Sequence, residues 1–172
     1  MIKLSSVLLV DDDPRTNDLN ERLLKKLGVA DRYLAATDGL TALAALEDLA
    51  ADANPSSPVL VLLDVKMPGM DGMAFVDAYQ RLPADRQQAV VIVLHTASMS
   101  SVDLGRIDSL PIAGLVSKPS PRISSTPSSS CTFSASSWLR TVLAGLHSSK
   151  PQRADHAARS LWFLHKRVIE IL

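Results

Sequence analysis

Val59-Leu60-Val61-Leu62-Leu63-Asp64 is an unbroken apolar run that ends on a carboxylate, and its reading decides the fold. Five consecutive aliphatic residues suit a strand covered on both faces, as in a parallel sheet. Upstream, Val7-Leu8-Leu9-Val10 repeats the pattern and ends on Asp11-Asp12-Asp13. Downstream, the apolar residues 89–94 lead into His95-Thr96-Ala97, and residues 112–116 lead into Ser117-Lys118-Pro119. Ligand chemistry in open parallel sheets gathers at the carboxyl ends of the strands. These runs could therefore bring carboxylates, a hydroxyl and an ammonium to one place. Crowded carboxylates repel one another unless a hard cation neutralises them, and oxygen ligands completed by waters suit Mg²⁺. The plainest chemistry is an acidic, metal-dependent site with Asp64 at its centre.

Helical patterns lie between the strands. Asp13 can cap a helix with Pro14 at its first position, Leu19, Leu23, Leu24 and Leu27 make its apolar stripe, and Gly28 ends it. Residues 33–36 read as a short second strand. Leu40, Leu43, Ala44, Leu46 and Leu49 form the next stripe, before the loop Asn54-Pro55-Ser56-Ser57-Pro58. After Asp64, the Met67-Pro68-Gly69 turn and Asp71-Gly72 open a helix near residues 73–81. Strand and helix alternate without a break, which argues for an α/β fold with right-handed crossovers and helices on both faces of the sheet.

The chain's 172 residues can bury a sizeable core. The formal charge is zero, but residues 1–119 hold 11 Lys/Arg against 16 Asp/Glu and residues 120–172 hold 7 against 2, an acidic domain and a basic tail. Cys131 is the only cysteine, so no disulfide can form within the chain. The start MIKLSS has no long apolar stretch of the signal-peptide kind, and no segment is long enough to span a membrane. A soluble cytoplasmic protein is expected.

With these residues in place, the sequence resembles the receiver domains of two-component response regulators, the CheY-like family, through VLLVDDDP, VLLDVKMPGMDG, HTAS and the SKP tripeptide, in matching order across roughly residues 4–119. The resemblance implies a doubly wound, five-stranded parallel sheet of flavodoxin-like order 2-1-3-4-5. It makes Asp64 the acceptor of a phosphoryl group from a histidine kinase or a histidine phosphotransfer protein, with Thr96 and Lys118 meeting the phosphoryl oxygens. It implies Mg²⁺ held by Asp12, Asp64 and the main-chain carbonyl of Lys66, with Asp11 acting partly through water. A stand-alone switch rather than a turnover enzyme follows, and a homodimer is open. The Lys118-Pro119 step matches one where a cis peptide is typical in the family.

Single residues carry other readings. Asp13, directly before Pro14, is expected to cap a helix rather than bind metal, and His95 to be a rim or packing residue. Lys66 could overhang the site and alter the lifetime of the phosphorylated form. Leu115 replaces the aromatic residue often found three before the lysine, so no ring can move inward behind Thr96. An Asp-nucleophile phosphatase would want a second carboxylate two residues after Asp64, where Lys66 stands. A nucleotide-binding flavodoxin relative would want a phosphate loop where three aspartates repel phosphate. The remaining rival is a degenerate receiver that only docks to proteins, or a non-functional frameshifted product.

Beyond Pro119 the composition changes abruptly, with 10 Ser and 3 Pro in residues 117–137, where a receiver presents its last amphipathic helix. Serine and proline at that density cannot make an apolar stripe. One permitted set of codons for residues 124–138, read two nucleotides later, encodes Leu-Asp-Ala-Ile-Leu-Gln-Leu-His-Phe-Gln-Arg-Gln-Leu-Leu, which is amphipathic. The expected division is a receiver at 1–119, a Ser/Pro-rich disordered segment at 120–137 and a basic tail with helices at 138–172, the last receiver helix being missing or replaced through a frameshift; a natural linker is the alternative. The tail shows no helix-turn-helix pattern, so no DNA-binding domain is evident. His147, His156 and His165 are too scattered to suggest a metal site.

Overall fold

A computed structural model describes residues 4–54, 57–87, 89–97, 105–107 and 109–118. The element order is β1 (Leu4–Val10), α1 (Pro14–Leu27), β2 (Ala30–Ala36), α2 (Gly39–Asp52), β3 (Val59–Leu63), α3 (Gly72–Tyr79), α4 (Ala84–Gln87), β4 (Val90–Thr96) and β5 (Gly114–Ser117). The five strands form one sheet in the order β2-β1-β3-β4-β5, as the family resemblance implies, and every pair is parallel, as the apolar runs predict. The Ser/Pro-rich segment, the basic tail and the Lys118-Pro119 peptide lie outside the described residues.

Strand alternation divides the core into two layers. Leu8, Val10, Val61, Leu63, Ile92 and Leu94 face α2 and α3, where Leu46, Leu49, Phe75 and Val76 meet them. Val7, Leu9, Leu62 and Val93 face α1 and its Leu24. With helices on both sides, β1, β3 and β4 are buried almost throughout, which is why they read as continuous apolar runs. β2 is the exception. It begins at Ala30, three residues before the expected start, because its exposed Asp31 and Arg32 lie on the edge of the sheet, where charge is tolerated.

The starts of α1, α2 and α3 are each set by an aspartate cap. Asp13 accepts from Arg15 N at 3.0 Å and from Thr16 Oγ1 at 3.1 Å, which makes it the helix cap the sequence suggested. Asp38 accepts from Thr41 N at 2.9 Å and Asp71 from Ala74 N at 2.8 Å. Gly28 ends α1 with φ 63°, a left-handed conformation that costs glycine little. The expected apolar stripes need correction. Leu19 is 57% exposed, and the inward residues of α1 are Asn17, Asn20 and Leu24. In α2, Leu40 is 66% exposed and Ala44 is exposed, while Ala42, Leu46, Leu49 and Ala50 point inward. The caps fix where each helix begins, and hence which residues recur on its sheet side. α3 stops at Tyr79, two residues before the expected end, as Arg81 N and Leu82 N turn back to the carbonyls of Ala78 and Tyr79 at 3.0 Å.

Arg106 Nη2 donates to both carboxylate oxygens of Asp77 of α3, at 3.1 and 3.0 Å, tying residues 105–107 to that helix. No helix among the described residues is long and apolar enough to cross a membrane.

Candidate functional site

Parallel register brings the site together. β1 and β3 pair Val10 with Leu63, and Asp64 N donates to Val10 O at 2.8 Å, so Asp11 and Asp64 leave adjacent strands at the same level. β4 and β5 pair Thr96 with Ser117, and Lys118 N donates to Thr96 O at 2.9 Å. That bond fixes the first residue after β5 and sends its side chain back over the sheet edge.

The two strand-end aspartates are seated alike. Asp11 Oδ1 accepts the amide of Asp13 at 3.1 Å, and Asp64 Oδ1 accepts the amide of Lys66 at 3.2 Å, in each case two residues on. Each Oδ1 is thereby occupied and each Oδ2 turned to the same target. Lys118 Nζ lies 2.5 Å from Asp64 Oδ2 and 2.5 Å from Asp11 Oδ2. The ammonium hydrogen-bonds Asp64 Oδ2 and makes an ion pair with Asp11 Oδ2. Both carboxylates are buried, Asp11 to 3% exposure and Asp64 to 6%.

Burial pushes the Asp11 carboxyl above its ordinary range, and the ion pair with Lys118 opposes the shift without cancelling it. For Lys118 burial pulls downward, but the two carboxylates outweigh it and hold the ammonium above its usual value. Asp12 stands beside this pair on the exposed side. Ligand oxygens of Asp11, Asp12 and Asp64 all lie within 4.8 Å of one another. Three carboxylates, two buried and one open to solvent, are a donor set suited to a hard divalent cation that keeps some of its waters.

The remaining expected residues fall as follows. Thr96 closes β4, is 4% exposed and reaches Lys118 through its carbonyl. Lys66 has its amide committed to Asp64 Oδ1 and its side chain exposed. His95 is not at the rim: it is 3% exposed, and strand alternation puts it on the α1 side with Val93. Desolvation, reinforced by Lys118 and countered by Asp64, lowers its imidazole to about 4, so it is a neutral packing residue.

Two further residues support the site. Gly72 N donates to Val65 O at 2.9 Å, and a Cβ at Gly72 would collide with Asp64 O and come within 2.8 Å of Val65 Cα. Only glycine lets α3 start this close to the peptide after Asp64. Asn17, buried on α1, donates Nδ2 to Asp11 O at 3.0 Å and to Ala36 O at 3.1 Å. The sequence carries one signal for Asn17, a polar residue a turn into a helix capped immediately after an acidic strand end.

Comparison with known proteins places the chain. The response regulator receiver domain family matches residues 7–124. The chain is 33% identical over 113 residues to the probable methanogenesis regulatory protein FilR2 of Methanothrix harundinacea, covering 66% of this chain and 71% of that protein. It is 37% identical over 83 residues to the sensor protein GacS of Pseudomonas syringae pv. syringae, which is 48% of this chain but only 8% of GacS. Among solved structures, a two-component response regulator from Cytophaga hutchinsonii superposes with a TM-score of 0.61 at 22% identity, covering 86% of this chain and 99% of that one, which bears on the fold.

Proposed function

The chain belongs to the response regulator receiver family of two-component systems, and we propose on that footing that Asp64 accepts a phosphoryl group from the phosphohistidine of a partner histidine kinase or histidine phosphotransfer protein. Receiver domains act as phosphoacceptor switches, mostly without turnover, and this chain is read as such a switch. The observation that carries the reading is the single ammonium of Lys118 set 2.5 Å from both Asp11 and Asp64.

In the reaction an Asp64 carboxylate oxygen bonds to phosphorus as the N–P bond of the donor breaks, and the imidazole, whose other ring nitrogen already carries a proton, leaves as the neutral base. Little covalent work falls to the protein, which aligns the acceptor and balances charge. Asp64 is held for attack by the Lys66 amide on Oδ1 and by its place at the end of β3. Lys118 is positioned by its backbone bond to Thr96, so its ammonium can pass from the carboxylate to the incoming phosphoryl oxygens. The Thr96 hydroxyl, at the neighbouring strand end, would meet another of them. Mg²⁺, held by Asp12, Asp64 and the main-chain carbonyl of Lys66 with Asp11 acting partly through water, would supply charge neutralisation. The acyl phosphate adds nearly two negative charges. A swing of that size beside Lys118 and Thr96 would bias the loops after β4 and β5.

The test is incubation with acetyl phosphate or phosphoramidate and Mg²⁺, borohydride trapping and mass spectrometry. Label is expected on Asp64 alone and absent from Asp64→Asn. Label elsewhere, or equal label on Asp64→Asn, overturns the assignment. A folded protein that takes no label is a docking module instead.

A further inference from the structure

We infer that Asn17 is a positioning residue that aims the Asp12 carboxylate at the metal, an inference that rests on the metal site proposed above. Asn17 lies on the inward face of α1, 2% exposed, where an aliphatic side chain would ordinarily pack. Its amide nitrogen spends both hydrogens on the sheet end, one on the carbonyl of Asp11 and one on that of Ala36. Its Oδ1 is buried without a partner. A side chain there for packing alone would not carry an unsatisfied oxygen, which a leucine avoids.

The bond to Asp11 O matters because that carbonyl belongs to the peptide entering Asp12. Ala36 O also accepts Asp11 N at 3.2 Å, so one β2 carbonyl holds both the start of Asp11 and the Asn17 amide. Asn17 thus ties the carbonyl of the Asp11–Asp12 peptide to the β2 carbonyl that also holds the Val10–Asp11 peptide. Asp12 itself is exposed and makes no hydrogen bond or ion pair among the described residues. Asp11 and Asp64 are steered by their own bonds to Lys118 and to the amides two residues on, whereas Asp12 is steered only by the peptide before it. Groups that orient metal-binding side chains typically carry large shares of the affinity when removed.

The test titrates Mg²⁺ alone into the full chain and follows the amide shifts of residues 11–13 and 64–66, with the urea midpoint measured alongside. Asn17→Leu and Asn17→Ala are expected to weaken Mg²⁺ by about tenfold, with the midpoint lowered in both because the Asp11 carbonyl loses its donor. The amide shift of Asp12 should move in both variants and that of Val65 stay unchanged. Leu24→Ala, on the same helix face, is the control: it lowers the midpoint and leaves Mg²⁺ affinity unaltered. Mg²⁺ affinity unchanged in either folded Asn17 variant, or an equal loss in Leu24→Ala, overturns the inference. If Asp12→Ala abolishes the Mg²⁺ response while Asn17→Leu retains it in full, only the inference fails. If the parent protein shows no Mg²⁺ response, or Asp12→Ala responds equally, the metal site fails with it.

Discussion

Lys118 Nζ and Asp64 Oδ2 stand 2.5 Å apart although 54 residues separate them in the chain, and the same nitrogen is equally close to Asp11. The side chain of Lys118 is 17% exposed, so this is a mostly desolvated arrangement in which one cation balances two acids. Such a pair is weak evidence for net stability, but removing one partner leaves the others uncompensated.

Lys118→Met should therefore lower stability at neutral pH by about 1–3 kcal/mol, the usual cost of stranding a buried partner. Mg²⁺ should then raise the urea midpoint more in the variant than in the parent, since the cation replaces the missing charge. The Asp11 carboxyl, already raised by burial, would rise further without Lys118. A carboxyl raised on folding loses stability as pH climbs from its unfolded to its folded value, so the deficit should shrink on acidification. An unchanged midpoint would mean that the ion pair is energetically idle.

His95 predicts a separate acid sensitivity. Its imidazole is lowered from 6.5 to about 4 by desolvation first and by Lys118 second, with Asp64 opposing. The unfolded chain takes up a proton below about 6.5 and the folded one only near 4, so stability present above 6.5 is lost as pH falls through this window. The loss is on the order of 3 kcal/mol in total. An imidazole titration by NMR should give a value well below 6, and His95→Leu should flatten stability between pH 6.5 and 4.

Gly72→Ala should cost about 1–3 kcal/mol, as crowding of a close-packed site does. The collision is with the backbone of Asp64 and Val65, so the acceptor itself would shift. Phosphorylation by acetyl phosphate should slow by more than the stability loss explains. Ala74→Gly, on the exposed side of the same helix, should destabilise by about 1 kcal/mol and leave the phosphorylation rate unchanged.

Lys66→Asn should permit phosphorylation and shorten the lifetime of the product. The amide of Lys66 holds Asp64 Oδ1 and survives the change, while the exposed side chain that can cover the phosphoryl group is lost. A change of at least about threefold, roughly 0.7 kcal/mol of barrier, is expected from the decay of the acyl phosphate. Equal lifetimes would mean that the lysine points to solvent.

The sheet was legible in the sequence because burial on both faces leaves a continuous aliphatic signature, and an acid or lysine at the end of such a run marks the carboxyl edge. Asp11, Asp64 and Lys118 followed from that alone. The inward face of α1 was not legible, since Asn17 and Asn20 are polar by type and buried by position, while Leu19 is apolar and outside. The edge strand β2 was shortened in the reading because its charged residues broke the apolar signature. The common turning of Oδ1 to the chain and Oδ2 to Lys118, the clearance at Gly72 and the Asn17 bridge depend on register between distant segments, which composition does not encode.

The position of β5 at the edge of the sheet has a consequence for the newborn chain. Asp11 and Asp64 are both synthesised before Lys118, which follows Asp64 by 54 residues. At ordinary elongation of about 5–20 residues per second, that interval lasts roughly 3–10 s. During it the two acids lack the ammonium that later lets them be buried, and any early pairing of β1 with β3 must draw its counter-charge from cellular cations. Docking of the last strand then completes the electrical balance of the sheet as well as its width, so a nascent chain stalled before Lys118 is left with an acidic edge that its own residues do not neutralise.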